Sequence, residues 1–179
     1  MRIVDVDPGD EAQLEALTRF VDRARVHDDP DAFALTLEDT RNDARYGGDL
    51  HPARHCLVLD DGVLVGHVWM HVPHLDNLHL VEAGITIDPD RRGRGLGSRV
   101  LAEVERRTRS LGRTTLWIGT ADDAEATKGF LGRRGFALAT RDARRHQRLA
   151  LVDAGEVDRL EREAAEHARD YVVERLQPP

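Results

Sequence analysis

The sequence predicts a mixed α/β fold built on one central sheet. Three observations carry this. Runs over Arg2–Val6, Arg54–Leu59, Val63–Val72 and Leu78–Ile87 have strand character, by alternation of apolar and polar residues or by β-branched content. Asp61-Gly62 lies between two of them and is a hairpin turn signal. From Leu78 to Gly119 the pattern runs strand, 3.6-period segment, strand, which is a crossover unit.

The elements follow in order. Arg2–Val6 is the first strand, and Asp7-Pro8 reads as a helix entry, a capping residue followed by Pro at the first position. Leu14, Leu17, Phe20, Val21 and Ala24 then fall on one helical face, and His27–Asp31 breaks that helix. Thr36 caps a second helix that runs to Tyr46 and ends on Gly47-Gly48. The hairpin strands and the strand Leu78–Ile87 follow, the last closing on Asp88-Pro89. Gly97–Leu111 is helical by period, with Val100, Leu101, Val104 and Thr108 on one side and Gly112 after its end. Thr114–Gly119 is a β-branched strand, Ala124–Arg134 a helix stopped by Gly135, and Phe136–Thr140 and Gln147–Val152 two further strands. An amphipathic helix over about Val157–Leu176 ends the pattern, with Val157, Leu160, Ala164, Ala168 and Tyr171 in a stripe. This organisation gives one domain over residues 1–152 and a helical extension over 153–179.

Composition excludes several classes. No apolar run approaches the ~18 residues of a membrane span. The N-terminus MRIVDVDPGDEAQLE is acidic and has no apolar signal core, so a cytoplasmic chain with no membrane partner is expected. The single Cys56 has no internal partner and fits a buried strand position. A net charge of −7 disfavours nucleic acid as a partner. That charge is uneven: residues 91–113 hold eight arginines against Glu103 and Glu105. Such a local basic cluster suits a small polyanion.

Residues 87–101, IDPDRRGRGLGSRVL, place that cluster in a turn between strand and helix. Gly93, Gly95 and Gly97 are spaced G-x-G-x-G, which matches neither the dinucleotide-binding G-x-G-x-x-G nor the phosphate-loop G-x-x-x-x-G-K-[ST]. A turn poor in side chains, opening a helix, lets successive amides approach an anion, with the positive end of the helix dipole behind them. That geometry binds a pyrophosphate.

IDPDRRGRGLGS resembles the acyl-CoA-binding signature of the GNAT superfamily of N-acetyltransferases, V-x-P followed by [QR]-x-x-G-x-[GA]. Ile87 stands for the Val, Pro89 for the Pro, Arg92 for the Gln or Arg, and Gly95 and Gly97 for the glycines. LGRTTLWIGTADD…KGFLGRRGF is similar to the family's next strand and helix, which end in a Gly-Phe pair, here Gly135-Phe136. The element order matches over Arg2–Val152. The tail AEHARDYVVERL resembles the helix that joins the halves of tandem GNAT proteins.

The resemblance implies a mostly antiparallel sheet, flanked by helices and split at the acyl-CoA site. Backbone groups at Ile85, Thr86 and Ile87 would hold the pantetheine arm as an added strand. The amides of Arg92, Gly93, Arg94, Gly95, Leu96, Gly97 and Ser98 would cradle the pyrophosphate, and Phe130 would lie beside the arm. It further implies acetyl-CoA as acyl donor, with no metal. The expected reaction is direct attack by the primary amine of a small molecule in a ternary complex. A catalytically silent acyl-CoA-binding module and a protein N-terminal or lysine acetyltransferase are the alternatives.

An alkylamine is about one part in a thousand neutral at pH 7, so a base assists. Glu82 is the only carboxylate of LHLVEAGITI, and branches resembling phosphinothricin acetyltransferases assign the base role to a Glu there. The thiolate-protonating Tyr of many members falls on Leu131, and Gly119 stands where several branches carry a second Glu. His67 and His71 alternate with Trp69, and His74 and His79 follow, as candidates to line an acceptor pocket. The acidic first helices, with Asp28, Asp29, Asp31, Glu38 and Asp39, suit a cationic acceptor. The apolar stripe of the tail helix would be covered by its own sheet or by a second copy, which points to a possible homodimer.

Overall fold

The computed structural model describes residues 1–47, 53–121, 124–142, 148–172 and 174–175. Its described strands are β1 (Arg2–Asp5), β2 (Arg54–Asp60), β3 (Val63–His71), β4 (Leu80–Ile87) and β5 (Thr115–Ile118). Its α-helices are α1 (Glu11–Asp28), α2 (Leu37–Tyr46), α3 (Leu96–Ser110), α4 (Glu125–Gly132) and α5 (Ala154–His167). The strands form one sheet in sequence order, antiparallel up to β4 and parallel between β4 and β5. The mixed, mostly antiparallel sheet inferred from the sequence is the one observed.

Asp61 at φ 50° and Gly62 at φ 80° make the tight turn between β2 and β3, the left-handed pair that matches strand twist. The β2–β3 ladder then slips between Val58 and Leu59, so Val65 is an extra residue on β3. One sheet face carries Cys56, Val58, Val68, Met70, Val81 and Ala83 and packs against Leu96, Val100 and Val104 of α3. Truncating such fully buried side chains costs about 2–5 kcal/mol each. The Cys56 thiol is buried there, and burial pushes its pKa up to about 12. The opposite face is covered by α1 and α2, which are joined by a buried Thr18–Thr40 hydroxyl contact of 2.8 Å and by Arg41 on Glu11.

Helix boundaries follow local chemistry, with one correction at the first. Asp10 is the N-cap of α1 and accepts from the Gln13 amide, whereas Asp7 accepts from Gly9 and shapes the turn before it. The helix therefore begins three residues past Pro8. Thr36 and Asp39 close a reciprocal capping box on α2.

The chain divides into two compact units, Met1–Lys128 and Gly129–Pro179. In the second unit the sequence expectation fails in part. Phe136–Thr140 is irregular and largely exposed, and Leu149–Leu151 is a short 3-10 turn; Gln147 lies outside the described residues. Neither segment has a strand partner among the described residues, and an unpaired strand is not stable alone. The tail helix α5 ends at His167, so Ala168 is its C-cap and Tyr171 lies beyond it; Leu176 lies outside the described residues. Asp153 caps α5 through the Gly155 amide.

Candidate active site

Strand β4 leads through a 3-10 turn at Pro89–Arg91 into the glycine turn and α3. Gly93 and Gly95 stand at φ 74° and 79°, a conformation that side-chain-bearing residues rarely adopt, and a Cβ on either would meet no atom within 4 Å. Gly95 is the N-cap of α3. The Arg99 amide bonds to the Gly95 carbonyl, so the amides of Leu96, Gly97 and Ser98 precede the first intrahelical bond. Caps from Asp10, Thr36 and Asp153 close α1, α2 and α5, whereas α3 has no side-chain cap. Its start combines amides that precede the intrahelical ladder, the positive end of the helix dipole and open space before Gly93 and Gly95, features that suit an anion. The Leu96 side chain points away into the core.

The open edge of β4 adjoins this turn. The β4–β5 ladder stops at Ala83–Ile118, while β4 continues through Gly84–Ile87. The hydrogen-bond parity sets which backbone groups face that gap. Asp88 donates to the Val65 carbonyl at 3.0 Å, so alternate residues Thr86, Gly84 and Glu82 bond towards β3. Ile85 and Ile87 therefore turn their N–H and C=O the other way. The His79 carbonyl, of the same parity, accepts from Thr114 and Thr115 and confirms the direction. An extended ligand could pair here as a strand does.

Ion pairs clasp the turn to α1. Arg23 reaches the buried Asp88 at 2.9 Å, and Asp28 grips Arg92 with both oxygens at 2.6 and 2.8 Å. Arg92 also donates through Nε to the Ile87 carbonyl at 3.2 Å, which brings the expected turn and strand residues together. The Arg92 guanidinium holds the Asp28 carboxyl below its ordinary range. The Asp28–Arg92 pair spans 64 residues, and no local pattern announces it.

The sheet face beneath α1 and α2 carries Glu82, Gly84 and Thr86 opposite His71, Trp69 and His67. Trp69 lies so close over Gly84 that a Cβ there would sit 2.0 Å from Nε1. The His71 imidazole is 3.8 Å from the half-exposed Glu82 carboxylate. His55, missed in the sequence, joins this face: its Nδ1 is 3.0 Å from His67 Nε2, and its Nε2 is 3.0 Å from the Asp43 carboxylate of α2. Burial, reinforced by the neighbouring His55, pushes the His67 pKa down to about 3, so His67 is neutral and unsuited as a base at pH 7. Among the described residues no group of three or more His, Cys, Asp or Glu is arranged to hold a metal ion.

Phe130 and Leu131 belong to the second unit. Arg134 stands over the Phe130 ring at 5.3 Å from its centroid, and Leu131 is buried. The two tyrosines, Tyr46 and Tyr171, are both exposed. No described helix is long and apolar enough to cross a membrane.

Comparison with known proteins bears on this arrangement. The family model described as the acetyltransferase (GNAT) family matches residues 15–136. An uncharacterised N-acetyltransferase in the pepI 3' region of Lactobacillus delbrueckii subsp. lactis is 27% identical over 144 residues, which are 75% of this chain and 83% of that protein. The structure of yncA from Salmonella typhimurium with its cofactor acetyl-CoA superposes with a TM-score of 0.62 at 19% identity, over 78% of this chain and 81% of that one. Aminoglycoside N-acetyltransferase AAC(6')-Iy in complex with CoA gives 0.60 at 17% identity, over 82% and 94%.

Proposed function

The chain belongs to the GNAT family of acetyltransferases, and on that premise we propose that it transfers acetyl from acetyl-CoA to the primary amine of a small molecule. The observation that carries the donor half is the start of α3 without a side-chain cap, opened by Gly93 and Gly95 beside the end of β4, which has no β5 partner among the described residues. Amides of the Arg92–Ser98 turn receive the pyrophosphate and the backbone of Ile85 and Ile87 receives the pantetheine, whereas Thr86, expected with them, bonds towards β3 instead. The CoA and acetyl-CoA bound by the two similar structures agree with this reading.

The acceptor enters on the face that holds Glu82, His71 and Trp69. Glu82 takes the proton as the amine attacks the thioester carbonyl in a ternary complex, the Ile85 N–H supports the developing oxyanion, and its collapse breaks the C–S bond and releases CoA as a thiolate that takes a proton from water. Asp29, Asp31 and Glu38 favour a cationic acceptor, whereas Asp28 is held by Arg92 and Asp39 by Thr36, and an aminoglycoside acetyltransferase among the similar folds is compatible with a small one. We place the protein in the cytoplasm, with residues 1–152 as the catalytic domain and 153–179 as an extension that pairs two copies.

A second reading, a silent acyl-CoA-binding module, draws on Leu131 at the family's tyrosine position and Gly119 after β5. A panel of small amines and one N-terminal and one lysine peptide, each incubated with acetyl-CoA, separates the readings through release of thiol. Turnover on a small amine establishes the first. Binding of acetyl-CoA without turnover on any acceptor establishes the second.

A further inference from the structure

Arg92 carries the first charge of the glycine turn, yet its guanidinium is already taken. Both its terminal nitrogens lie on the Asp28 carboxylate, and its Nε lies on the Ile87 carbonyl. The neighbouring charges are engaged as well: Arg23 and Arg91 face Asp88, Arg23 also approaches Asp90, His27 contacts Asp28, and Arg94 donates to the Asp90 carbonyl. A bidentate carboxylate occupies a guanidinium with the geometry a phosphate would use.

We propose that Asp28 is an internal counter-anion of the donor site, a positioning residue that holds Arg92 in place of the donor's pyrophosphate until the two anions exchange. This rests on the reading of Arg92–Ser98 as the pyrophosphate turn. Three features support it. The carboxylate and a pyrophosphate in the turn compete for the same planar donor set. Asp28 is an anion beside an anion site, so it opposes phosphate entry by like charge. It is also the last residue of α1, and the segment that follows leads to α2 and the acceptor wall, so release of Asp28 would free the end of that wall as the donor arrives. Asp28 thus sets how strongly the site discriminates between a phosphorylated donor and its uncharged arm.

The test is calorimetric, with the full chain, CoA, and pantetheine as the uncharged arm. Asp28→Asn should bind CoA roughly two- to fivefold more tightly, the scale of one partly exposed charge pair, and pantetheine unchanged. Asp28→Glu keeps the charge and should bind CoA as the wild type does. Arg92→Gln should bind CoA more weakly. A purely structural clasp predicts the opposite sign, so CoA binding that is unchanged or weaker in Asp28→Asn overturns the proposal. An equal gain for pantetheine also overturns it, because that gain would come from shape. Should Asp28→Asn fail to melt cooperatively, Asp28→Ser provides the same comparison. Wild-type protein that binds no CoA removes the pyrophosphate turn itself, and the counter-anion with it.

Discussion

His55 Nδ1 and His67 Nε2 meet at 3.0 Å, with the rings stacked 10° from parallel at a centroid spacing of 5.3 Å. Both side chains are buried, so one ring must donate and the other accept, and among the described residues His55 has the Asp43 carboxylate at contact distance. Two buried imidazoles in contact cannot both carry charge, and His67 stays neutral down to about pH 3.

Acid stability should record this. Above the unfolded pKa of about 6.5 neither state binds a proton at His67. Between that value and about 3 the unfolded chain binds a proton that the folded chain refuses, so stability falls as pH falls. The slope is at most about 1.4 kcal/mol per pH unit for one such group. The depressed Asp43 carboxyl adds loss in the same direction only near and below its ordinary 3.8. Urea midpoints from pH 7 to 4 should drop in the wild type and drop less in His67→Gln. Equal slopes in the two proteins would deny that His67 is buried neutral.

Gly84 should tolerate no side chain. A Cβ would fall 2.0 Å from Trp69 Nε1 and 2.6 Å from Cε2, so the indole must leave its place on the sheet face beneath α1 and α2. Gly84→Ala should lose about 1–3 kcal/mol by overpacking and shift Trp69 emission to the red. A variant as stable as the wild type with unchanged emission would mean that the indole does not lie over Gly84.

Part of this site could be read from the chain and part could not. The glycine turn is local: strand, Gly-rich turn and helix are consecutive, and spacing alone rejects the competing nucleotide motifs. His55 is different. Counting outward from Asp61-Gly62 sets it opposite Val68, on the α3 face. The extra residue at Val65 shifts the ladder by one and sets it opposite Trp69 instead, on the face of His67. Nothing in VLVGHVWMH marks that bulge except Gly66, where a Cβ would approach the Thr86 carbonyl to 3.0 Å. The same limit applies at Phe136–Thr140, where apolar alternation suggests a strand but supplies no partner for it.

Glu82→Gln should lower turnover by roughly 10²-fold at neutral pH while CoA affinity stays within about twofold. Glu82 faces His71 at 3.8 Å on the sheet face beneath α1 and α2, whereas the glycine turn begins beyond the end of β4. Steady-state kinetics with calorimetry on the same protein decides it. Full activity in Glu82→Gln would hand proton removal to His71 or to water.

The tail makes a separate prediction. Val157 and Leu160 on α5 are exposed, as are Tyr171 and Val172 beyond it, and contiguous exposed apolar surface marks a partner contact. Light scattering should find a dimer for the full chain and a monomer after removal of residues 157–179, with CoA binding retained. A full-length monomer at every concentration would end the pairing role.

Gly95 gives the most direct test of the donor site. At φ 79° it caps α3 in the left-handed region, where a side chain costs about 1–2 kcal/mol of backbone strain. Its Cβ would project into open space, so Gly95→Ala should fold with only that penalty. Gly95→Asp adds a carboxylate to the same space, at the end of the helix where a donor phosphate would lie. At a hundredfold excess over its dissociation constant, CoA should stabilise the wild type by about 2.7 kcal/mol. Gly95→Ala should keep most of that stabilisation if the space is wide, and Gly95→Asp should abolish it. Because both side chains bear the same left-handed backbone penalty and project into open space, the ligand-free Gly95→Asp protein should melt close to Gly95→Ala. Loss of the CoA effect in a protein that still melts normally isolates the anion site from the fold. A full CoA-induced shift in Gly95→Asp would place the pyrophosphate elsewhere.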